Sequence, residues 1–377
     1  MVSGPLHVFR VVRGVTGARR ALLLLAIAGA QFALFETALR AWGHSEAAPA
    51  FQALFMPDPV IGYRLRPGAR TRFTTAEFDT RIAINGQGVR DEAEIGPKPA
   101  NERRIVVLGD SLVLSVQVEA RLTFCRLLED RLNRGGGAIH YRVINAGVQG
   151  YGPVEELLLF RQVARAFEPD LVIVTVFVGN DAEEAVTSAP RLQGATRPAG
   201  DAISGSILTR MRRLVRRSMV LQVLRLRVVA VTDRLPRFGA PPEPPLQSYA
   251  AQPVPRIAEG LRIARECVQA IASESAASGA RVMVMLMPAR FQVDEADYRR
   301  LKDAVEGAGG QLVRDAATTR FEEALAPLRI PRFDALPALR AALPGPDVFF
   351  QQTVHLTPRG HEIVAEALEA FIRAQGL

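Results

Sequence analysis

The stretch RIVVLGDSLVLSVQV, from Arg104 to Val118, decides the fold expected for this chain of 377 residues. Its first part, RIVVLG, is a short apolar run without alternation, which is typical of a strand buried on both faces of a sheet. Gly109, Asp110 and Ser111 end that run abruptly, and an amphipathic stretch follows at once. The pattern predicts a buried strand, then a tight corner that presents a hydroxyl, and then a helix.

The same alternation of strands and helices continues toward the carboxyl terminus. Three further apolar runs predict strands: YRVINAG (141–147), LVIVTVFVGN (171–180) and RVMVMLMP (281–288). Apolar residues at helical spacing predict the helices between them: LTFCRLLEDRL (122–132), PVEELLLFRQVARAF (153–167) and RIAEGLRIARECVQAIASESAASGA (256–280). Unalternating strands separated by helices indicate a parallel sheet covered on both faces, so we expect a three-layer α/β/α domain with a central parallel sheet.

The amino-terminal region has the composition of a membrane segment. Basic residues at positions 10, 13, 19 and 20 precede the apolar run from Ala21 to Phe35. That run spans about 22 Å as a helix and reaches the thickness of a bilayer core of about 30 Å only when it continues to Trp42. We predict a cytoplasmic basic terminus (1–20) and a transmembrane signal-anchor (21–42). A cleaved signal peptide and a buried helix are the alternatives.

The rest of the chain divides into two parts. Residues 43–100 form an amino-terminal extracytoplasmic segment, in which RIAINGQGVRDE (81–92) predicts a strand and a turn. Residues 101–377 form the main domain, interrupted by a basic insert at about 183–255. Within the insert, residues 206–231 predict an Arg-rich amphipathic helix. This helix either caps the domain or lies on a membrane surface.

Charge and cysteine content exclude some functions. The formal net charge of +8 is compatible with nucleic acid or anionic lipid as partners. The basic residues are almost all Arg and are dispersed, and no nucleic-acid-binding motif accompanies them, so we predict no nucleic-acid partner. Cys125 and Cys267 lie in predicted helices, and we interpret them as small core side chains.

Polar residues follow the predicted strands where ligands bind in open parallel sheets. Ser111 follows the first strand, Gly150 follows the second, and Asn180 follows the third. His355 precedes a stretch in which Thr357 can cap a helix and Pro358 can begin it. Serine becomes a nucleophile when a base such as imidazole takes its proton. The developing oxyanion needs donors, and the backbone N–H groups of Ser111 and Gly150 and the Asn180 amide can supply three.

The four blocks resemble those of the SGNH or GDSL hydrolases, over roughly residues 101–377. The blocks are GDSL at 109–112, NAGVQG at 145–150, GND at 179–181 and VHLTPRGH at 354–361. The resemblance implies a flavodoxin-like sheet, ester hydrolysis or acyl transfer, and no metal or cofactor. It makes Ser111 the nucleophile, His355 the base, and Ser111, Gly150 and Asn180 the oxyanion donors. The stretch from Ile84 to Ser111, behind an apolar segment, also resembles a bacterial, envelope-facing branch of the family.

One position departs from the family pattern. Members carry Asp three residues before the histidine, whereas Gln352 stands here. We interpret Gln352 as a neutral group that orients His355, as Asn does in papain-like enzymes. A repositioned acid such as Asp347 and a catalytically impaired protein are the alternatives. His361, inside the final predicted helix, is expected to be structural.

The sequence therefore predicts a serine esterase anchored in a bacterial inner membrane, with its catalytic domain in the periplasm. Its expected substrate is an acyl ester, with O-acetyl groups on envelope or exported polysaccharide suited to that location. A glycan O-acetyltransferase that uses the same acyl-enzyme is the first alternative. A glycan-binding or scaffold protein that has lost activity with the Asp is the second. The sequence does not predict an oligomeric state.

Overall fold

The structure is a computed structural model. It describes residues 53–75, 77–194, 244–252, 254–343, 347–351 and 353–376, together with residues 26–38 and positions 19, 22, 24 and 220. The chain divides into two compact units. One comprises Met1–Glu46 and Ile203–Phe238, and the other comprises Ala47–Ala202 and Gly239–Leu377.

The first unit contains a helix in the region of the predicted signal-anchor. Residues 26–38 are helical, and the Thr37 hydroxyl donates a hydrogen bond to the Ala33 carbonyl at 2.7 Å. Among the helices that the structure describes, none combines the length and apolarity needed to cross a membrane. The remainder of residues 21–42 lies outside the described residues. So do residues 195–219 and 221–243 of the basic insert, which include all but one residue of the predicted Arg-rich helix (206–231).

A five-stranded parallel sheet forms the centre of the second unit. Its strands are β5 (Glu102–Gly109), β6 (His140–Gly147), β7 (Leu171–Phe177), β8 (Arg281–Met287) and β9 (Arg332–Asp334), in the order β6-β5-β7-β8-β9. All four pairings are parallel. This is the flavodoxin-like order 2-1-3-4-5, as predicted. The four predicted strands are confirmed. The fifth strand, β9, was not predicted, because its three residues contain only one apolar side chain.

Helices cover both faces of this sheet, so the three-layer prediction is confirmed. In chain order they are α1 (Ser111–Leu114), α2 (Phe124–Leu132), α3 (Pro153–Gln162), α4 (Asp181–Ser188), α5 (Pro244–Gln247), α6 (Pro255–Ala277), α7 (Arg290–Val293), α8 (Glu295–Gly307), α9 (Ala316–Leu325), α10 (Leu336–Ala341) and α11 (Pro358–Ala374).

Alternate strand residues face two separate hydrophobic cores. Val106 and Val174 face one core, which contains α3, α6 and α9. Val107 and Ile173 face the other, which contains α2, α10 and α11. This period of two is why each central strand is apolar throughout. Cys125 and Cys267 are free and buried, one in each core, as the sequence predicted.

Two antiparallel hairpins precede the sheet. β1 (Phe55–Asp58) pairs with β2 (Gly62–Leu65), and β3 (Arg70–Thr74) pairs with β4 (Asp79–Ala83). Their apolar residues, among them Leu54 and Ile82, are buried in the core that contains α3. The segment is also joined to the main domain by hydrogen bonds, including one from the buried Thr80 hydroxyl to the Val116 carbonyl at 2.6 Å. The predicted strand and turn of residues 81–92 correspond to the end of β4 and the loop after it.

Candidate active site

Three of the four sequence blocks lie at the carboxyl edge of adjacent strands. In the sheet, β5 lies between β6 and β7. Ser111 begins α1 two residues after β5, Gly150 lies three residues after β6, and Asn180 lies three residues after β7. Ligands in sheets of this order bind at the switch point, here between β5 and β7. The structure therefore brings Ser111, Gly150 and Asn180 to one edge of the sheet.

The corner that carries Ser111 is held from several directions. The Asp110 carboxylate accepts a hydrogen bond from the Leu112 N–H at 2.7 Å and caps α1. The Asn145 amide donates to the Val113 carbonyl at 2.7 Å, which ties α1 to the second block. The buried guanidinium of Arg90 donates to the carbonyls of Ser115 and Val118, both at 2.5 Å. Ser111 therefore lies on a fixed turn, although α1 has only four residues.

Glycine is needed twice in the second block for different reasons. A side chain at Gly147 would collide with the backbone nitrogen of Leu114, because α1 packs directly on the end of β6. Gly150 has φ +69°, in the left-handed region that glycine adopts without strain. A Cβ atom at Gly150 would also lie 3.0 Å from the Tyr63 hydroxyl.

The Asn180 side chain is oriented by Glu184, one turn along α4. Its Nδ2 atom donates a hydrogen bond to Oε1 of Glu184 at 2.8 Å, and its Oδ1 atom is buried without a partner. The Glu184 side chain also covers the second block, since a Cβ atom at Gly152 would lie 3.0 Å from the Glu184 Cβ. Because an amide nitrogen carries two hydrogens, Asn180 keeps one for a ligand.

Four carboxyl groups lie near these strand ends: Asp110, Glu156 and Asp181, which are buried, and Glu184, which is half-buried. Burial raises the pKa of Asp110 to about 6 and the pKa of Glu184 to about 7. Burial and the neighbouring carboxylates raise the pKa values of Glu156 and Asp181 well above their ordinary range. Both oxygens of Glu156 lack hydrogen-bond partners. Like charges this close cannot all ionise, so the cluster retains protons at neutral pH. Within the described part of the chain, no three His, Cys, Asp or Glu side chains are grouped to hold a metal ion.

His355 lies on the loop that precedes α11. Its backbone is fixed, because its carbonyl accepts from the Phe350 N–H at 3.0 Å and its N–H donates to the Thr353 hydroxyl at 3.3 Å. Its imidazole is mostly buried, and among the described residues, Ser111 included, neither ring nitrogen has a hydrogen-bond partner. Burial lowers the pKa of His355 to about 4, so the ring is neutral at physiological pH. An unprotonated imidazole is the form that a general base requires.

The structure gives His355 no carboxylate partner among the described residues. Asp347, the alternative acid, instead accepts a hydrogen bond from the Gln351 side-chain amide at 2.5 Å. Gln352 lies outside the described residues. Thr357 caps α11 by accepting from the Gly360 N–H at 3.3 Å, and Pro358 begins the helix, as predicted.

His361 has a structural role, as predicted. Its Nδ1 atom accepts a hydrogen bond from the Phe124 N–H at 3.2 Å, and its ring stacks on that of Phe124. The side chain is only 1% exposed, and burial lowers its pKa to about 3. Its ring therefore joins α2 to α11 and does not reach solvent.

A cavity of about 520 Å³ connects the Asn180 block with the His355 loop. Gly179 and Asn180 line it on one side, and Thr353 and Val354 line it on another. Apolar and aromatic side chains form much of the remaining wall: Phe177, Leu246, Tyr249, Ala289, Phe291 and Leu301. Arg290 lies at the same cavity and donates from its guanidinium to the Phe350 carbonyl at 2.9 Å.

Three residues that support the site were missed from the sequence: Tyr63, Arg90 and Glu184. Glu184 could have been found, because it lies four residues after Asn180, where helical side chains meet. Tyr63 lies 86 residues from its partner Gln149, and Arg90 lies 25 residues from Ser115. No local pattern predicts such distant contacts.

Comparison with known proteins adds one family and several distant folds. A family model described as "ALGX: SGNH hydrolase-like domain, acetyltransferase AlgX" matches residues 248–377. No curated protein sequence matches the chain significantly. The solved structure of TesA is 13% identical, covers 72% of this chain and 99% of its own, and has a TM-score of 0.40. A catalytic mutant of Axe2, an acetylxylan esterase from Geobacillus stearothermophilus, is 12% identical at 72% and 94% coverage, with a TM-score of 0.40. A two-domain esterase active on acetylated mannans is 11% identical at 73% and 50% coverage, with a TM-score of 0.40.

Proposed function

We propose that this chain is an ester-acting enzyme of the SGNH hydrolase-like type and that it forms an acyl-enzyme on Ser111. The family model that matches residues 248–377 and the four sequence blocks support the proposal. The proposed oxyanion donors are the backbone N–H groups of Ser111 and Gly150 and the Nδ2 atom of Asn180. The observation that carries the proposal is the placement of these residues after three adjacent parallel strands. Preorganised donors at one strand edge stabilise a developing negative charge without reorganising.

His355 is the proposed base. It accepts the Ser111 hydroxyl proton as Oγ forms a bond to the acyl carbon, and it returns that proton to the departing alcohol. Water then attacks the acyl-enzyme and gives a proton to His355. His355 passes that proton to the departing Ser111 Oγ, which releases the free acid and regenerates the serine hydroxyl and the neutral imidazole. The low pKa of His355, about 4, keeps the imidazole neutral over the working range. Gln352 is the proposed neutral orienter of this ring.

The proposed substrate is an acyl ester, with O-acetyl groups on envelope or exported polysaccharide as the preferred class. Acetyl transfer to a glycan hydroxyl is the second candidate, and the matching family description, which names an acetyltransferase, favours it. The two reactions share every step up to the acyl-enzyme. They differ only in whether water or a sugar hydroxyl accepts the acyl group.

We also propose that residues 21–42 anchor the protein in a bacterial inner membrane, with the catalytic domain in the periplasm. The basic residues before the apolar run support this orientation. Full-length protein is expected in the membrane pellet after a high-salt wash, with its amino-terminal residues intact. A soluble mature protein that starts near residue 50 would overturn the anchor.

The decisive experiment is labelling of the full-length protein with a fluorophosphonate probe, which reacts with activated serine. Wild-type protein is expected to label, and Ser111→Ala is expected to abolish labelling. His355→Ala is expected to slow labelling strongly, because the serine loses its base. Failure of the wild type to label, under conditions that label a known SGNH esterase, would favour the scaffold alternative.

A second experiment separates hydrolysis from transfer. Purified protein receives 4-nitrophenyl acetate with and without an unacetylated glycan, and both free acetate and glycan-bound acetate are measured. Hydrolysis predicts free acetate equal to the nitrophenol released, with or without glycan. Acetate recovered on the glycan, without matching free acetate, would replace the esterase by the transferase.

A further inference from the structure

We propose that Tyr63, on the amino-terminal hairpin, is a positioning residue for the oxyanion hole. It fixes and polarises the peptide unit between Gln149 and Gly150. The inference rests on the proposed function, since it concerns the Gly150 N–H as an oxyanion donor. It assigns a role in chemistry to the amino-terminal segment, through β2 (Gly62–Leu65), whereas the sequence predicted only a strand and a turn for this segment.

The geometry begins with one hydrogen bond. The Tyr63 hydroxyl donates to the Gln149 carbonyl oxygen at 2.7 Å. That carbonyl and the Gly150 N–H belong to the same peptide unit. The unit is planar and trans, so the two groups point in opposite directions. A bond that fixes the carbonyl therefore also fixes the direction of the N–H.

The hydroxyl is itself held in place by its surroundings. The Tyr151 hydroxyl donates to the Tyr63 carbonyl, and the two rings meet edge to face with centroids 5.6 Å apart. The Phe55 ring also meets Tyr63 edge to face, with centroids 5.7 Å apart. Tyr151 is fully buried. Two aromatic neighbours therefore restrict the Tyr63 ring.

The contact also accounts for the absence of a side chain at position 150. A Cβ atom there would lie 3.0 Å from the Tyr63 hydroxyl, closer than such atoms ordinarily approach. The positive φ of Gly150 would also strain any other residue. Glycine and tyrosine are thus matched across this contact.

The second effect of the bond is electronic. A donor on the carbonyl draws electron density from the peptide nitrogen, so its N–H becomes a stronger donor. Bonds linked in this way strengthen one another by about 10–30%. An entire oxyanion donor is worth about 10²–10³-fold in turnover. Losing about 10–30% of that stabilisation, by removing only the supporting bond, should therefore lower kcat about 2- to 8-fold.

The test compares Tyr63→Phe with Thr80→Val, using 4-nitrophenyl acetate as substrate. Phenylalanine retains the ring contacts and removes the bond to Gln149. Thr80→Val removes a different hydroxyl-to-carbonyl bond by which the same segment joins the main domain. Tyr63→Phe is expected to lower kcat about 2- to 8-fold with KM within twofold. Thr80→Val is expected to leave kcat unchanged.

Thermal unfolding of both variants separates chemistry from docking of the segment. If kcat falls in both variants in proportion to the loss of thermal stability, the role of Tyr63 is structural only. An unchanged kcat in Tyr63→Phe would overturn the proposal while Ser111-dependent turnover of the wild type still stands. Wild-type turnover that Ser111→Ala does not abolish would remove the proposed function, and the role of Tyr63 with it.

Discussion

The two halves of the candidate site are held in different ways. On the strand side, Ser111, Gly150 and Asn180 each lie where side-chain hydrogen bonds hold the local backbone or side chain in place. Asp110 caps one turn, Glu184 holds the Asn180 amide, and Tyr63 holds the Gly150 peptide. On the loop side, His355 is fixed through its backbone, while its ring nitrogens are buried without partners.

This difference indicates that the two sides would contribute unequally to the proposed reaction. A rigid strand side can offer oxyanion donors without reorganising when substrate binds, which is where most of the stabilisation arises. An imidazole without a carboxylate partner has nothing among the described groups to favour its charged form, and burial lowers the pKa of His355 to about 4. The protein therefore supports the proposed base, His355, less well than the proposed oxyanion donors. Substitutions on the loop side should accordingly change the reaction rate more, in either direction, than substitutions on the strand side.

Removing the base gives the largest expected effect. His355→Ala should lower kcat/KM about 10³-fold, since a positioned general base contributes about 10²–10⁴-fold. The matched control is His361→Asn, which removes the other buried imidazole but offers an acceptor for the Phe124 N–H. It should cost stability and leave kcat/KM within a few-fold of wild type. Comparable losses in both variants would mean that loop packing, and not His355 chemistry, controls the rate.

Supplying a carboxylate to the base should act in the opposite direction. Gln352→Asp introduces the acid that the family pattern carries, and it should raise kcat about tenfold by stabilising the imidazolium. A negative neighbour also raises the pKa of His355, so the fall of kcat/KM at low pH should move from about pH 4 toward neutral. Asp347→Asn is the control and should change neither quantity. If kcat/KM of Gln352→Asp falls at the same low pH as in the wild type, position 352 does not face the imidazole.

The strand side was easier to predict than the loop side. Runs of consecutive apolar residues predicted the strands of the sheet, because a strand buried on both faces is apolar throughout. The motifs GDS, NAGVQG and GND marked where three of these strands end. Tyr63 and Arg90 act across long separations, and their bonds depend on how hairpin and sheet pack. The absence of a partner for the His355 nitrogens is a tertiary property that no spacing reveals. The sequence therefore places the candidate donors at the strand ends better than it finds the residues that orient them.

A methyl group at Gly152 tests the link between two strand ends. Its Cβ would lie 3.0 Å from the Glu184 Cβ and 3.3 Å from Oε2, so Gly152→Ala should displace Glu184 and with it the Asn180 amide. We expect kcat to fall about five- to tenfold, a part of what losing one oxyanion donor costs. Gly135→Ala is no control, because its φ of +104° brings strain of its own. Gly137→Ala, in open space, should leave kcat unchanged.

If Gly152→Ala acts through Glu184, a smaller side chain at 184 should relieve it. The double variant Gly152→Ala, Glu184→Ala should then have a kcat no lower than Glu184→Ala alone. If the factors by which the two single substitutions lower kcat instead multiply in the double variant, the effect of Gly152→Ala does not act through Glu184.

The smallest expected effect concerns stability and pH. Glu184 has its pKa raised to about 7, so the folded protein keeps this proton over a range in which the unfolded chain has lost it. Stability contributed by that proton is complete below about pH 4.5 and is lost as pH rises toward 7. Glu184→Gln keeps an acceptor for Asn180 but does not titrate. Relative to wild type, it should gain up to about 1.4 kcal/mol of unfolding free energy per pH unit across this window.

Denaturant unfolding at pH 5, 6 and 7 measures this difference directly. Asp110, Glu156 and Asp181 contribute in the same direction, because removing one carboxylate lowers the pKa values of the others. Glu259→Gln, an exposed carboxyl paired with Arg262, is the control and should show no such trend. A pH-independent difference between Glu184→Gln and wild type would mean that Glu184 is already ionised in the folded protein. The strand side would then carry a negative charge beside its oxyanion donors, and its advantage over the loop side would disappear.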